Sequence, residues 1–162
     1  MAKARKRSIS HYDGSLCAGH LLVWTWRKMV GGQGECPVLN REYDRFAGAG
    51  ADALLAAFAT FLLLLGRGSR RILSVGPLCC PALTTDEERM LRLIAAAQAG
   101  EEVLAAAHLT WLVKREHQES VGPAVENLAR ALLEAGVVLP PVRTCSPAPS
   151  ATLDRMSAQG WI

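Results

Sequence analysis

The stretch TDEERMLRLIAAAQAGEEVLAAAHLTWLVKREHQESVGPAVENLARALLEAG, residues 85–136, decides the fold. It opens on Thr85-Asp86-Glu87-Glu88, which has the spacing of a capping box. In that motif the Thr85 hydroxyl accepts the Glu88 amide and the Glu88 carboxylate reaches back. Three acids in one turn also set negative charge at the positive end of the helix dipole. Leu91, Ile94, Ala95 and Gln98 then recur on one helical face, and Gly100 ends the pattern. A second helix is expected from Glu101 to about Glu116, with Val103, Ala107 and Trp111 in one row and Leu104, His108 and Leu112 in the next. A third is expected to open at Gly122-Pro123, with Pro123 at the first position, where its missing N–H has no partner to lose. Its stripe is Val125, Leu128, Ala129, Leu132 and Leu133; Glu126, Arg130 and Glu134 run along the outer side, and Gly136 closes it. Short connections make the three helices antiparallel neighbours.

Upstream of this unit, Ala53 to Leu65 carries no charge and lies between Asp52 and Arg67. A helix apolar on every side belongs in the middle of a bundle or in an oligomer interface. It is too short for a bilayer, which takes roughly 20 apolar residues, so no transmembrane segment is expected. Asn40 is an acceptable N-cap for a short piece with Glu42, Tyr43 and Phe46, interrupted at Gly48 and Gly50. Before it, a helix starts near Ser15, carries Leu16, Leu22, Val23, Trp26 and Val30, and stops at Gly31-Gly32. Arg70 to Val75 can be extended, and Gly76-Pro77 with Pro81 keeps Leu78 to Ala82 out of a helix. Downstream, Val137 to Leu139 is one more apolar anchor. No alternating strand pattern and no internal repeat competes. The expected fold is all-α, a compact bundle of about five to six helices with a C-terminal three-helix unit. The boundaries are a basic polar tail over 1–14, one helical domain over 15–139, and a Pro/Ser-rich tail over 140–162. Trp161 and Ile162 are expected to dock on the body or on a neighbouring subunit.

Half of the residues are apolar and 20% are charged, which excludes disorder throughout. The net charge is +3, but Lys3, Arg5, Lys6 and Arg7 account for it; without them 14 basic groups face 15 acidic ones. The near-neutral body argues against a strong nucleic-acid surface. Ala96-x-x-x-Gly100 resembles the turn of a helix-turn-helix motif, yet the next helix opens on Glu101-Glu102, which phosphates repel. The tail and Arg67, Arg70 and Arg71 leave only non-specific contact, so no specific nucleic-acid partner is expected. The basic start runs into Ser8 to Gly14, which is no signal-peptide core. Five cysteines, an odd number, suit a reducing compartment, and the expected location is cytoplasmic.

Four cysteine and histidine residues have ligand chemistry. Cys17-x-x-His20 has metal-ligand spacing, and Cys79 and Cys80 can supply thiolates from a loop bracketed by prolines. Cys17, His20, Cys79 and Cys80 together would meet the four N/S ligands of a zinc site. The plainer reading makes Cys17 a small core residue. Cys79 or Cys80 could also act as a nucleophile near a helix N-terminus, with His108 or His117 as base. His108 beside Trp111 reads as a boundary histidine or a ligand contact. His117, between Glu116 and Glu119, reads as a solvated helix end. Neither a dinucleotide fingerprint nor a Walker-type Gly-Lys-Ser/Thr is present.

The Cys79-Cys80-Pro81 loop leading into Thr85-x-x-Glu88 and an Ala-rich helix pair resembles small helical bacterial proteins, and the Ala/Leu/Arg/Gly-heavy composition resembles that of GC-rich bacteria. Neither likeness implies an activity. The expectation is a non-enzymatic helical protein working through protein contacts, as a homodimer or a regulatory adaptor, with no cofactor. The alternative is a zinc-binding or thiol-dependent protein built on the Cys79-Cys80 loop.

Overall fold

These patterns become six α-helices in a computed structural model that describes residues 14–80 and 82–140, with side chains described from residue 18. They are α1 (Gly14–Val30), α2 (Pro37–Ala47), α3 (Ala51–Gly68), α4 (Thr85–Ala99), α5 (Glu102–Leu112) and α6 (Gln118–Glu134). A 3₁₀ turn at Gly48–Gly50 runs α2 into α3, and another at Arg115–His117 precedes α6. Among the described residues the only strand-like pairing is a single antiparallel bridge between Ser69 and Val113.

The starts and stops follow local chemistry; α3 runs on to Gly68, three residues past the expected Leu65, and four other ends shift. Pro37 sits in the first turn of α2, where its fixed φ is already helical, so the helix begins there rather than at Asn40. The capping box of α4 falls one residue earlier than expected: Thr84, not Thr85, is the N-cap. The Glu87 amide donates to Thr84 Oγ1 at 3.2 Å, and Glu87 Oε2 accepts the Thr84 amide at 2.8 Å. Thr84 Oγ1 also donates to the Ser74 carbonyl at 2.6 Å, which fixes this choice. α5 stops at Leu112 because Val113 leaves to pair with Ser69: the Arg70 amide donates to the Leu112 carbonyl at 3.0 Å, and the Lys114 amide to the Gly68 carbonyl at 2.8 Å. α6 starts at Gln118 and takes Pro123 into its interior. Val121, fully buried one turn before Val125, draws this earlier turn into the helix.

α3 is the central element, packed on α6 along one side and on α2 along another. Leu54, Phe58, Phe61 and Leu65 form its buried stripe, in one core cluster with Val125, Leu128 and Leu132 of α6. The helix is apolar all round in sequence but buries only part of its circumference, since Leu63 stays 54% exposed. By length and composition, the continuous helical stretch Pro37–Gly68 is long and apolar enough to cross a membrane. Its buried stripe gives it a core role inside the bundle. α4 packs against both α5 and α6, completing the C-terminal three-helix unit. Met90, Leu93 and Ile94 are its core side chains. At the far end of α3, a Cβ on Gly68 would lie 2.6 Å from the His117 Cβ, so this crossing requires glycine. α1 closes the other side with Leu22, Val23 and Trp26 buried, and the Thr25 and Tyr43 hydroxyls meet at 3.1 Å between α1 and α2. Burial pushes the Tyr43 phenol up to about 12.

Candidate functional site

The loop before α4 has carbonyls with no regular partners, and one side chain serves them. Arg27, from the last turn of α1, is buried, as is Glu87 in the first turn of α4. Its Nε and Nη2 donate to the two Glu87 carboxylate oxygens at 2.7 and 2.8 Å. Its other donations go to the carbonyls of Pro77, Cys80 and Ala82. All five guanidinium N–H groups are thus used. Glu87 is equally complete, because its oxygens also accept the Gly76 amide at 2.9 Å and the Thr84 amide at 2.8 Å. Burial alone would raise the Glu87 carboxyl; Arg27 and the two amides outweigh it and hold the group below the usual range. The hydrogen bond to Glu87 raises Arg27 against the opposing effect of burial, and the neighbouring Cys80 and Cys79 add to the rise. Gly76 is required at this lock, since a Cβ there would lie 2.8 Å from Arg27 Nη2.

A second ion pair continues the seam. Arg71 grips Asp86 through both oxygens, at 2.8 and 2.6 Å, and the Ser74 amide adds a bond at 2.7 Å. Arg71 first, and the Ser74 amide with it, holds the Asp86 carboxyl below its ordinary value. The guanidinium carbons of Arg89 and Arg71 lie over the Trp111 ring, 3.8 and 4.9 Å from its centre. Arg92 pairs with Glu88 one turn along. The Nε atoms of Arg89 and Arg92 are buried without an acceptor among the described residues. Burial lowers the His108 imidazole, and the charges of Arg89 and Arg92 lower it further.

The basic cluster Arg67, Arg70 and Arg71 lies where the C-terminal ends of α3 and α5 meet. Arg70 Nε donates to the Thr110 and Val113 carbonyls at 2.7 and 3.2 Å. Cations at two converging helix C-termini offset both dipoles, which gives the cluster a structural role.

α5 is the exception in the bundle. It has no charged residue between Val103 and Val113, yet only His108 and Leu112 are buried. Val103 is 87% exposed, Leu104 45% and Trp111 42%. With Ala107 they form one continuous outward patch, Val103, Ala107 and Trp111 along one row and Leu104 beside them. α5 is flanked by a cleft of about 520 Å³ toward α6 and another of about 400 Å³ toward residues 138–139.

The expected ligand residues fall as follows. Cys79 is exposed and Cys80 half-buried, neither bonded to another cysteine among the described residues, on the loop that Arg27 holds. His20 is exposed on α1, and the Cys17 side chain lies outside the described residues. Among the described residues no group of three or more His, Cys, Asp or Glu side chains converges as a metal site. Trp161 and Ile162 also lie outside the described residues. Nothing in the sequence around Arg27 singles it out. Its signal is indirect: a proline-framed loop whose carbonyls need donors from elsewhere. Comparison with protein-family models, with curated proteins and with solved structures finds no match.

Proposed function

We propose that this protein works through protein contacts, self-association first, and that the outward patch of α5 is the contact face. The observation that supports this reading is the exposed run Val103, Leu104, Ala107 and Trp111, which carries no charged residue of its own and ends under the guanidinium groups of Arg71 and Arg89. Contiguous apolar surface on a small protein marks a place where something binds. Trp111, braced by two arginines, is the type of side chain that dominates binding energy at interface centres. The setting is cytoplasmic, which an odd number of cysteines suits; an adaptor role would use the same face on a different partner. Sedimentation of the full chain over a hundredfold concentration range tests the reading. A dimer is expected, and Val103→Asp should weaken it more than about tenfold, the equivalent of about 1.4 kcal/mol. A wild type that stays monomeric, or a variant that dimerises equally well, overturns self-association through this patch.

A second reading, thiol or metal chemistry at Cys79 and Cys80, draws on the way Arg27 fixes the carbonyls around the pair. Zinc content after loading and dialysis, compared between the wild type and a Cys79→Ser/Cys80→Ser double variant, tests it. Loss of zinc in the variant would favour the metal version of this reading; equal content would end that version.

A further inference from the structure

The cleft between α4 and α5 already has chain at its mouth. After α6 the backbone turns at Gly136, with φ of 75°, and runs along the C-terminal end of α4. Gln98 holds it with both ends of its amide: Nε2 donates to the Val137 carbonyl at 2.9 Å, and Oε1 accepts the Leu139 amide at 2.8 Å. Val137 and Leu139 are buried, whereas Val138 between them is 60% exposed. That alternation is a strand-like hold on the side of a helix. Val138 and Leu139 then form one wall of the cleft, opposite Ala95, Ala99, Leu104 and His108.

We propose that residues 141–162 of the same chain occupy this cleft, with Trp161 and Ile162 as the side chains that fill it. Entry favours this occupant over a foreign one. Leu139 lines the cleft and Pro140 follows it, so the segment starts at its own site. Reach permits it, because 22 residues extend to about 70 Å and the 11 residues of α5 to about 16 Å. Chemistry fits as well. The walls are more apolar than polar, with Arg92, Gln98, Glu101 and His108 as the polar lining, and a cavity of about 400 Å³ has room for an indole and an isoleucine side chain together. Pro140, Pro141, Pro147 and Pro149 reduce the entropy lost on ordering the segment. Tethering raises its effective concentration to the order of mM, so even weak intrinsic affinity fills the site. This surface shares only Leu104 with the outward patch of α5, and the inference stands apart from self-association.

The test replaces Trp161 in the full chain with photoreactive p-benzoylphenylalanine, in an equal mixture of ordinary and ¹⁵N-labelled protein. Irradiation should join residue 161 to residues 92–108 or 138–139, within single chains only. Leu104→Asp in the same chain, and Ala99→Trp, which fills the cleft from α4, should each cut that product by about tenfold, which a loss of about 1.4 kcal/mol would give. Products elsewhere, no product, or yields indifferent to both substitutions overturn the proposal. Adducts at the cleft that mix isotopes also overturn it, assigning the cleft to a second copy.

Discussion

At the N-terminal end of α4 two opposite charges are buried and every polar atom of the pair is matched. On α5, packed beside α4, three large apolar side chains face water. The two regions invert the usual sorting of polar outside and apolar inside, and each inversion has a physical reason. Arg27 and Glu87 are tolerated in the interior because five donors and two carboxylate oxygens all find partners. Val103, Leu104 and Trp111 stay outside because α5 turns His108 and Leu112, with Ala105 and Leu109 beside them, toward the core instead. One region is closed by its own chain; the other is left open to something else.

The largest expected effect is at the closed region. Glu87→Ala or Arg27→Ala should each cost about 3–5 kcal/mol in urea unfolding, since one buried charge is left alone. Replacing the pair by Arg27→Met with Glu87→Leu should not restore stability. The carbonyls of Pro77, Cys80 and Ala82 and the amides of Gly76 and Thr84 would still lack partners. Full recovery in the double variant would show that the lock is only a charge pair.

Protons give a milder version of the same experiment. Glu87 and Asp86 both sit below the ordinary carboxylate range. Their contribution is present above the unfolded value, about 4, and is lost as pH falls through the lower folded values. Stability measured against pH should therefore drop on the acid side, and a Glu87→Gln variant should show a shallower drop. Gly76→Ala comes next, at about 1–3 kcal/mol for the clash with Arg27. The smallest effect belongs to the open region: Val103→Ser should change monomer stability by no more than about 0.5 kcal/mol. A large loss there would mean that the row is buried after all, and the contrast between the two regions would fall.

The same contrast explains what the sequence makes legible. α6 advertises its faces: Glu126, Arg130 and Glu134 mark the outside, and the stripe from Val125 to Leu132 is buried as its periodicity implies, although Leu133 at its margin is exposed. α5 lacks any such marker, so nothing local says that Val103, Ala107 and Trp111 face out, nor that Leu104 stays exposed in the same row as buried His108 and Leu112. The start of α4 is ambiguous for another reason. Thr84 with Glu87 and Thr85 with Glu88 satisfy the capping pattern equally, and only the distant Ser74 and Arg27 separate them. The lock itself is invisible along the chain, because its acceptors lie 50 to 60 positions from Arg27. The cleft depends on how residues 137–139 return to α4, which apolar pattern alone does not specify.

The completeness of the Arg27 site also bears on how the molecule opens. A guanidinium with five acceptors has no comfortable half-way state, because any partial withdrawal leaves buried carbonyls and a carboxylate unmatched in a low-dielectric interior. α1 and the loop from Gly76 to Thr84 should therefore open as one cooperative unit. Amide exchange in both segments would then share a single opening free energy, even though nearly fifty residues of chain separate them.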